Sequence, residues 1–381
     1  MTDLKQPYYF DNNATTPIDE RVLKTMLPFF NKYYGNASST THVQGITARH
    51  AVEEARLKTA QLINAEENEI IFTSGATEAI NIALKSVWEN YSKYGKHIIT
   101  VKTEHKAVLD TCLYLEKRGA EITYLNVDAE GLINLDELKD KMHDTTILVA
   151  VMHANNETGV IQPIEEISKI VHQYNCLLLT DATQSAGKQM LDVNELGIDL
   201  LCLSAHKMYG PKGIGALYVR RKKPRVQLAE FIHGGGHEKQ IRSGTLNVPG
   251  IVALGKACEL AQYELWDNNT HVSKLRAYLE HQLLEIEGLR INGSTRYRLY
   301  NTSNICFPKK SSAELIGKWG SLFSVSSGAA CASGNKEISH VLKAMQLNDE
   351  DANSSLRFSF SKYNTLEEVK DAVSFILTAF K

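Results

Sequence analysis

Short apolar, β-branched segments alternate with helix-like patterns through the first two thirds of the chain. The segments that we expect to form strands are residues 69–73, 98–101, 122–125, 146–152, 176–180, 200–203 and 216–219. Most of them are apolar on both faces, which is typical of parallel strands covered by helices on both sides. Helices are expected between them, at residues 77–91, 105–118 and 164–174. The alternation therefore predicts an α/β fold built on a mainly parallel sheet.

The pattern changes in the last third of the chain. From Pro249 to about Leu289 it is almost wholly helical, and beyond Asn292 strands and helices resume at a different spacing. We interpret the long helix as the joint between a large domain and a smaller α+β domain. The boundaries that we expect place residues 16–261 in the large domain, and residues 1–15 with 262–381 in the small one.

The charge balance argues against a polyanionic partner. Lys and Arg total 42 and Asp and Glu total 44, which leaves a formal charge of −2 and no basic surplus for nucleic acid or an anionic membrane. No apolar run approaches the roughly 18 residues of a membrane span. Residues 1–6 contain no apolar signal core, so we expect a cytoplasmic protein that acts on a small molecule.

The cysteines are expected to be reduced, because the chain is long and has no Cys-x-x-Cys pair that would indicate zinc or a redox dithiol. No metal site is predicted. Five of the six lie in predicted strands or helices, and these are Cys112, Cys176, Cys202, Cys258 and Cys306. Cys331 differs because only small residues surround it, in Ser326-Ser327-Gly328-Ala329-Ala330-Cys331-Ala332-Ser333-Gly334. An exposed, mobile segment of this kind suits a nucleophile, although a surface thiol without function would fit equally well.

Three predicted strands are followed by residues that could bind a ligand or take part in a reaction. Ser74-Gly75-Ala76-Thr77-Glu78 opens a helix, where small residues and free N–H groups favour an anion such as phosphate, although a tight turn would fit too. Asp181 ends a strand and needs a positive partner there, which a protonated ring nitrogen would supply. Lys207 follows the next strand and suits a Schiff-base nucleophile. Each feature alone is weak, but the three in this order indicate a site for pyridoxal phosphate (PLP).

Other polar residues are candidates for the same crevice. His105 begins a helix after a strand, where it suits stacking on a planar cofactor or a proton relay near neutral pH. The turn Asn155-Asn156-Glu157-Thr158-Gly159 offers amide groups. Arg357 suits two-pronged binding of a carboxylate. A solvent-exposed histidine, a polar turn and a surface ion pair are the respective structural alternatives.

Nine segments, in order along essentially the whole chain, together resemble those of cysteine desulfurases. They are Asp11-Asn12-Asn13-Ala14-Thr15-Thr16-Pro17, Gly35-Asn36-Ala37-Ser38-Ser39, Gly75-Ala76-Thr77-Glu78, Thr103-Glu104-His105, Asn155-Asn156-Glu157, Asp181-Ala182-Thr183-Gln184, His206-Lys207, Arg242-Ser243-Gly244-Thr245 and the Cys331 segment. The extended Cys331 segment is similar to that of class I, which serves iron–sulfur assembly and nitrogen fixation. Ala37 departs from the family pattern, which has proline at this position.

The resemblance implies a fold type I PLP enzyme with a seven-stranded sheet, active as a homodimer. Lys207 would hold the cofactor covalently, Asp181 would pair with its ring nitrogen, and His105 would stack on the ring and assist catalysis. The phosphate would be bound by Ala76, Thr77, Ser204, His206 and, from the partner subunit, Thr245. Asn156 and Gln184 would contact the ring oxygen or the substrate, and Arg357 with Asn13 would hold the substrate carboxylate.

The reaction that the resemblance implies starts from L-cysteine. The cysteine would displace Lys207, the freed lysine would move the α-proton, and the Cys331 thiolate would take the sulfur as a persulfide while alanine leaves. The sulfur would then pass to an acceptor protein such as an iron–sulfur scaffold. The 50 residues after Cys331 are fewer than in relatives that dock a scaffold through a longer tail, so the acceptor stays open.

Other functions remain open on the sequence alone. A selenocysteine lyase or an aminotransferase would share the fold, and an aminotransferase would turn over with a keto acid without needing Cys331. A non-catalytic scaffold subunit would keep the fold without the reaction. The presence together of Lys207, Asp181, His105 and Cys331 argues against that last alternative.

Overall fold

The computed structural model of the chain describes residues 7–327 and 338–380, so Cys331 lies outside the described residues. The strands in those ranges are β1 (Tyr8–Tyr9), β2 (Ile70–Thr73), β3 (His97–Val101), β4 (Glu121–Leu125), β5 (Thr146–Ala150), β6 (Leu177–Asp181), β7 (Leu200–Ser204), β8 (Gly215–Val219), β9 (Arg290–Asn292), β10 (Thr302–Cys306), β11 (Phe323–Ser324) and β12 (Ser355–Ser359). The helices are α1 (Glu20–Met26), α2 (Pro28–Asn31), α3 (Val43–Leu62), α4 (Ala76–Tyr91), α5 (Lys106–Glu116), α6 (Leu135–Lys141), α7 (Ile164–Gln173), α8 (Val248–Leu283), α9 (Ser312–Trp319), α10 (His340–Ala344), α11 (Asp349–Asn353) and α12 (Leu366–Ala379).

A seven-stranded sheet forms the centre of the molecule, in the order β2-β8-β7-β6-β5-β3-β4. Strand β8 runs antiparallel to its neighbours β2 and β7, and the remaining neighbours pair in parallel. The prediction of an α/β fold with a mainly parallel seven-stranded sheet is therefore confirmed. Because β2, β6 and β7 all point in the same direction, their carboxyl ends meet at one edge of the sheet.

Several predicted boundaries differ from the structure by one or two residues, and for two of them the structure shows a local reason. The strand expected at 146–152 ends at Ala150, and the Met152 N–H donates to the Glu104 carboxylate instead of to a neighbouring strand. The helix expected from His105 begins at Lys106, because the His105 side chain caps it by accepting the Ala107 N–H at 3.1 Å. In the first case a side chain accepts a backbone N–H that the pattern assigns to the sheet, and in the second a side chain accepts a first-turn N–H that has no partner within the helix.

Alternate residues of the central strands pack into two separate hydrophobic clusters. Val149, Leu178 and Leu201 face a cluster that includes residues of α3, α7 and α8. Leu148 and Leu179 face the opposite cluster, which includes residues of α4 and α5. Burial on both faces explains why these strands read as continuous apolar runs.

A third cluster lies around the antiparallel sheet β12-β10-β9. It joins Phe10, near the N-terminus, to Phe307, Trp319 and Phe358, and it includes Leu279 from the C-terminal half of α8. The division of the chain at residues 15/16 and 261/262 stays a prediction. None of the helices in the described ranges combines the length and the apolar character needed to cross a lipid bilayer.

Candidate active site

A cavity of about 540 Å³ lies where the carboxyl ends of β2, β6 and β7 meet. Its lining includes eleven of the site residues expected from the sequence, namely Asn13, Ala76, Thr77, His105, Asn156, Asp181, Gln184, Ser204, His206, Lys207 and Arg357. The fold therefore brings together residues that are up to 344 positions apart in the chain. Two expected residues are not in this lining: Thr245 is exposed to solvent elsewhere, and Cys331 is outside the described residues.

The wall after β2 is the beginning of α4. Gly75 precedes the helix with φ of 153°, and among the described residues no side chain caps the first turn. The loop lies directly on β8, because a Cβ on Gly215 would come within 2.8 Å of the Gly75 Cα. An uncapped start of a 16-residue helix presents N–H groups and a positive dipole end to the cavity, which favours an anion there.

Glu78 stabilises this turn without opposing an anion. Its Oε2 accepts the Ser74 N–H at 2.6 Å, and its Oε1 accepts from Arg242 Nε at 2.7 Å. Burial acts to raise the pKa of Glu78, but the hydrogen bonds from Arg242 and Ser74 outweigh it and lower the pKa. The negative charge of Glu78 is therefore neutralised by Arg242.

Lys207 occupies the short 3-10 turn Ala205–Lys207 that follows β7. Its Nζ donates to the Asn13 carbonyl at 2.5 Å and to the Ala14 carbonyl at 2.7 Å. The N-terminal segment is itself fixed, since the Asn13 N–H donates to Ser359 Oγ at 2.9 Å. The amine is thus held at the cavity by backbone carbonyls, a geometry in which a primary amine can react with a carbonyl compound.

Asp181 is the last residue of β6 and is largely buried. Its Oδ1 accepts the Thr183 N–H at 2.9 Å and also the Thr183 hydroxyl. Its Oδ2 accepts no hydrogen bond from any residue in 7–327 or 338–380. A buried carboxylate with one oxygen available can bind a cationic group in the cavity.

Two histidines lie beside these groups. His105 lines the cavity and caps α5 through Nδ1. His206 Nδ1 is 3.2 Å from Thr15 Oγ1. Burial, followed by the positive charges of Lys207, Lys212 and Lys188, lowers the pKa of His206 to about 4, so this imidazole is neutral near pH 7.

The opposite wall contains Arg357 from β12. Its Nη2 donates to Asp11 Oδ1 at 2.6 Å and its Nη1 donates to the Asn156 carbonyl at 2.9 Å. Its Nε is buried and has no hydrogen-bond partner in the described part of the chain. Asn13 lies against the same group, because its Nδ2 donates to the Asn156 carbonyl at 3.2 Å. The guanidinium therefore retains donor capacity for an anionic ligand.

Gln184 supplies an acceptor. Its Nε2 donates to the Asn13 carbonyl at 3.0 Å. Its Oε1 is buried and, among the described residues, finds no hydrogen-bond partner. A buried amide oxygen without a donor is costly, so it indicates a ligand hydroxyl at this place in the cavity.

Sequence reasoning missed two residues beneath the cavity. Glu104 is buried directly before His105 and accepts the Met152 N–H, and Lys188 is buried with its ammonium beside Lys207. The available signal was a charged residue among small or strand-forming neighbours, as in Ser185-Ala186-Gly187-Lys188. Within the described ranges, no group of three or more His, Cys, Asp or Glu side chains is arranged to hold a metal ion.

Comparison with known proteins adds independent information. Residues 8–371 match the family described as aminotransferase class-V. The cysteine desulfurase IscS of Histophilus somni is 49% identical over 378 residues, covering 99% of this chain and 93% of that protein. The cysteine desulfurase IscS of Colwellia psychrerythraea is 49% identical over 375 residues, covering 98% of this chain and 92% of that protein.

Solved structures agree with these relatives. A NifS-like protein superimposes with a TM-score of 0.91 at 40% identity, covering 98% of this chain and 100% of that chain. The structure of SspA in complex with cysteine superimposes with a TM-score of 0.82 at 36% identity, covering 94% of this chain and 100% of that chain.

Proposed function

Because the chain belongs to the class I cysteine desulfurases, within the class-V aminotransferases, we propose that the cavity at the carboxyl ends of β2, β6 and β7 is its active site. The cofactor of this enzyme is PLP and its reaction is the removal of sulfur from L-cysteine. When bound, PLP supplies an electron sink for the bonds around the substrate α-carbon. The residues of this chain supply binding, orientation and proton transfer.

The donor set of the cavity fits PLP. The Lys207 amine can bind the aldehyde, and the available oxygen of Asp181 can pair with the ring nitrogen. The uncapped start of α4, with Ala76 and Thr77, suits the phosphate. The unpartnered Oε1 of Gln184 suits the ring hydroxyl. The observation that carries the proposal is the presence of this amine and this carboxylate in one cavity with the helix start.

The remaining residues of the cavity have complementary roles in the proposal. Ser204 and His206 complete the phosphate site, where the neutral imidazole of His206 can donate a hydrogen bond. His105, which lines the same cavity, would stack on the ring. Arg357, with Asn13 and Asn156, holds the substrate carboxylate through the donor capacity described above. The Lys207 amine would accept the α-proton of the substrate.

We propose that Cys331 receives the sulfur. Its thiolate attacks the sulfur of the bound cysteine, so that a sulfur–sulfur bond forms while the carbon–sulfur bond of the substrate breaks. The electron sink that bound PLP supplies would stabilise the electron pair left on carbon, and protonation of that carbon would give alanine. The Cys331 persulfide passes the sulfur to an acceptor protein, such as an iron–sulfur scaffold, in a reducing compartment such as the cytoplasm.

We also propose that the enzyme works as a homodimer. The described N-terminal segment exposes large apolar side chains, including Leu27, Phe30, Tyr34 and Val43, which are 50 to 74% accessible in the single chain. Such a concentration supports burial against another subunit. Thr245 is exposed and does not line the cavity of its own chain, which is consistent with a contribution to the partner's phosphate site.

The decisive experiment combines chemical trapping with turnover. Borohydride reduction of the holoenzyme should fix the cofactor on Lys207, as mapped by peptide mass spectrometry, and Lys207→Ala should abolish this label. Cys331→Ala should keep the label but lose sulfide release from cysteine in the presence of a thiol reductant. The buried Cys306→Ala is the matched control and should retain activity.

The alternatives give different results. Full sulfide release by Cys331→Ala would contradict the persulfide role. Turnover that requires a keto acid, and not Cys331, would indicate an aminotransferase. Sedimentation at several protein concentrations tests the homodimer, and a monomer at micromolar concentration would contradict it.

A further inference from the structure

Lys188 is a buried lysine that the proposed reaction does not use. The residue is 6% exposed, and it lies seven positions after Asp181 in the connection between β6 and β7. It forms no ion pair with any carboxylate of the described residues. Burying a lysine without an anion is unfavourable, so its retention requires a compensating interaction.

The compensating interaction is a pair of hydrogen bonds to the backbone of the active site. Lys188 Nζ donates to the Gln184 carbonyl at 2.9 Å and to the Lys207 carbonyl at 3.1 Å. It therefore links the turn after β6 to the turn after β7. These are the turns that bring Gln184 and Lys207 to the cavity.

Two further hydrogen bonds close this link into a ring. Gln184 Nε2 donates to the Asn13 carbonyl at 3.0 Å, and Lys207 Nζ donates to the same carbonyl at 2.5 Å. The ring thus runs from Lys188 through Gln184, Asn13 and Lys207 back to Lys188. One ammonium group fixes the backbone of both cavity residues, while one carbonyl fixes both of their side chains.

The titratable groups that interact with Lys188 are all basic. The titratable neighbours that interact with it are Lys207 and His206. Burial, followed by the charge of Lys207, lowers the pKa of Lys188 to about 7.

We propose that Lys188 is a positioning residue that fixes the backbone of Lys207 against that of Gln184, and so sets where the Lys207 nitrogen meets the cofactor and the substrate. This inference rests on the proposed role of Lys207. Lys188 does not touch the reacting atoms in this arrangement. It acts through the two carbonyl groups that it binds.

The test is Lys188→Met in the full-length holoenzyme, because methionine retains the apolar stem and removes the donors and the charge. We expect kcat for alanine production to fall roughly tenfold while KM for cysteine changes less than about twofold. We also expect the pH midpoint of the cofactor's visible absorbance to rise by about half a unit or more, because the neighbouring positive charge is gone. Lys169→Met, at an exposed lysine of α7, is the matched control and should change neither.

A second variant separates the donor from the charge. Lys188→Gln retains N–H donors without the charge. It should therefore show the same shift of the absorbance midpoint with a smaller loss of kcat. This variant provides the test if Lys188→Met does not fold. Lower thermal stability with unchanged kcat and midpoint would show a purely structural role and overturn the inference. Absence of borohydride labelling at Lys207 in the wild type would instead overturn the proposed function.

Discussion

Arg357 Nη2 lies 2.6 Å from Asp11 Oδ1, so the guanidinium proposed to hold the substrate carboxylate is already paired with an anion. Its other terminal nitrogen donates to the Asn156 carbonyl. An arginine can keep both contacts and still bind a carboxylate, because it has five N–H donors in a planar arrangement. The pair with Asp11 thus orients the side chain and leaves binding capacity for the substrate.

Arg357→Lys should therefore weaken substrate binding although it preserves the charge. A single ammonium cannot serve Asp11, the Asn156 carbonyl and a substrate carboxylate in the same geometry. We expect KM for cysteine to rise about ten- to a hundredfold, with a smaller effect on kcat, in steady-state assays of alanine production. The exposed Arg290→Lys is the control. A KM equal to that of the wild type would contradict the substrate-binding role.

Thr183 orients the carboxylate proposed to bind the ring nitrogen. In Thr183→Val the backbone N–H still donates to Asp181 Oδ1, but the hydroxyl donor is lost. We expect kcat/KM to fall about tenfold to a hundredfold at normal cofactor content, because a hydrogen bond to a charged group is worth about 1.5 to 3 kcal/mol. Thr183→Ser retains the hydroxyl and should stay near wild type. Equal activity of the two variants would show that this hydrogen bond has no part in catalysis.

The sequence was most informative about the site where a candidate functional residue lies at or just after the end of a strand. Asp181 ends one apolar strand and Lys207 lies three residues beyond the end of the next, and parallel strands bring such positions to one edge of a sheet. The segment around Gly75 could be identified as part of the site for the same reason, because it follows strand β2. These three features are local, and they place the cavity without knowledge of tertiary contacts.

Long-range contacts explain what was not predicted. Lys207 binds carbonyl groups 193 and 194 residues away, and Glu104 accepts a hydrogen bond from Met152, 48 residues away. The hydrophobic periodicity of the sequence cannot reveal such hydrogen-bond partners, because these depend on how loops cross above the sheet. The contribution of Thr245 to a partner subunit and the role of Cys331 remain predictions from sequence resemblance.

Glu104 should make stability depend on pH. Burial raises the pKa of this carboxyl well above its ordinary value, the Met152 N–H partly offsets the shift, and the charge of Asp181 adds to it. The folded chain thus binds this proton more tightly than the unfolded chain, and stability from Glu104 is lost as pH rises above about 4.5. Glu104→Gln has no proton to lose, so its Tm relative to wild type should increase from pH 5 to pH 8.

The measurement is thermal unfolding of both proteins at matched cofactor content and several pH values. Glu89→Gln, at an exposed position of α4, is the control and should show a Tm difference that does not vary with pH. A constant difference between Glu104→Gln and wild type over this range would mean that Glu104 does not bind its proton more tightly in the folded chain.

A buried ion pair holds the segment that leads to Thr245. Arg56 donates through both terminal nitrogens to the Glu238 carboxylate, at 2.8 and 3.0 Å, and Glu238 also accepts the Phe72 N–H at 2.7 Å. Glu238, Lys239 and Gln240 all have positive φ, a conformation that non-glycine residues adopt only when surrounding contacts enforce it. The ion pair therefore fixes a strained turn that lies five to seven residues before Thr245.

Arg56→Met should remove that constraint and leave the Glu238 carboxylate buried without its partner. We expect the free energy of unfolding in urea to fall by about 3 to 5 kcal/mol, because an uncompensated buried charge is more costly than the loss of the pair itself. Lys24→Met breaks the exposed pair of Lys24 with Glu20 and should change stability by less than about 1 kcal/mol. Equal effects of the two substitutions would mean that solvent reaches Glu238. In that case the conformation of residues 238–240 would have to be maintained by backbone contacts such as the hydrogen bond from the Phe231 N–H to the Ile241 carbonyl.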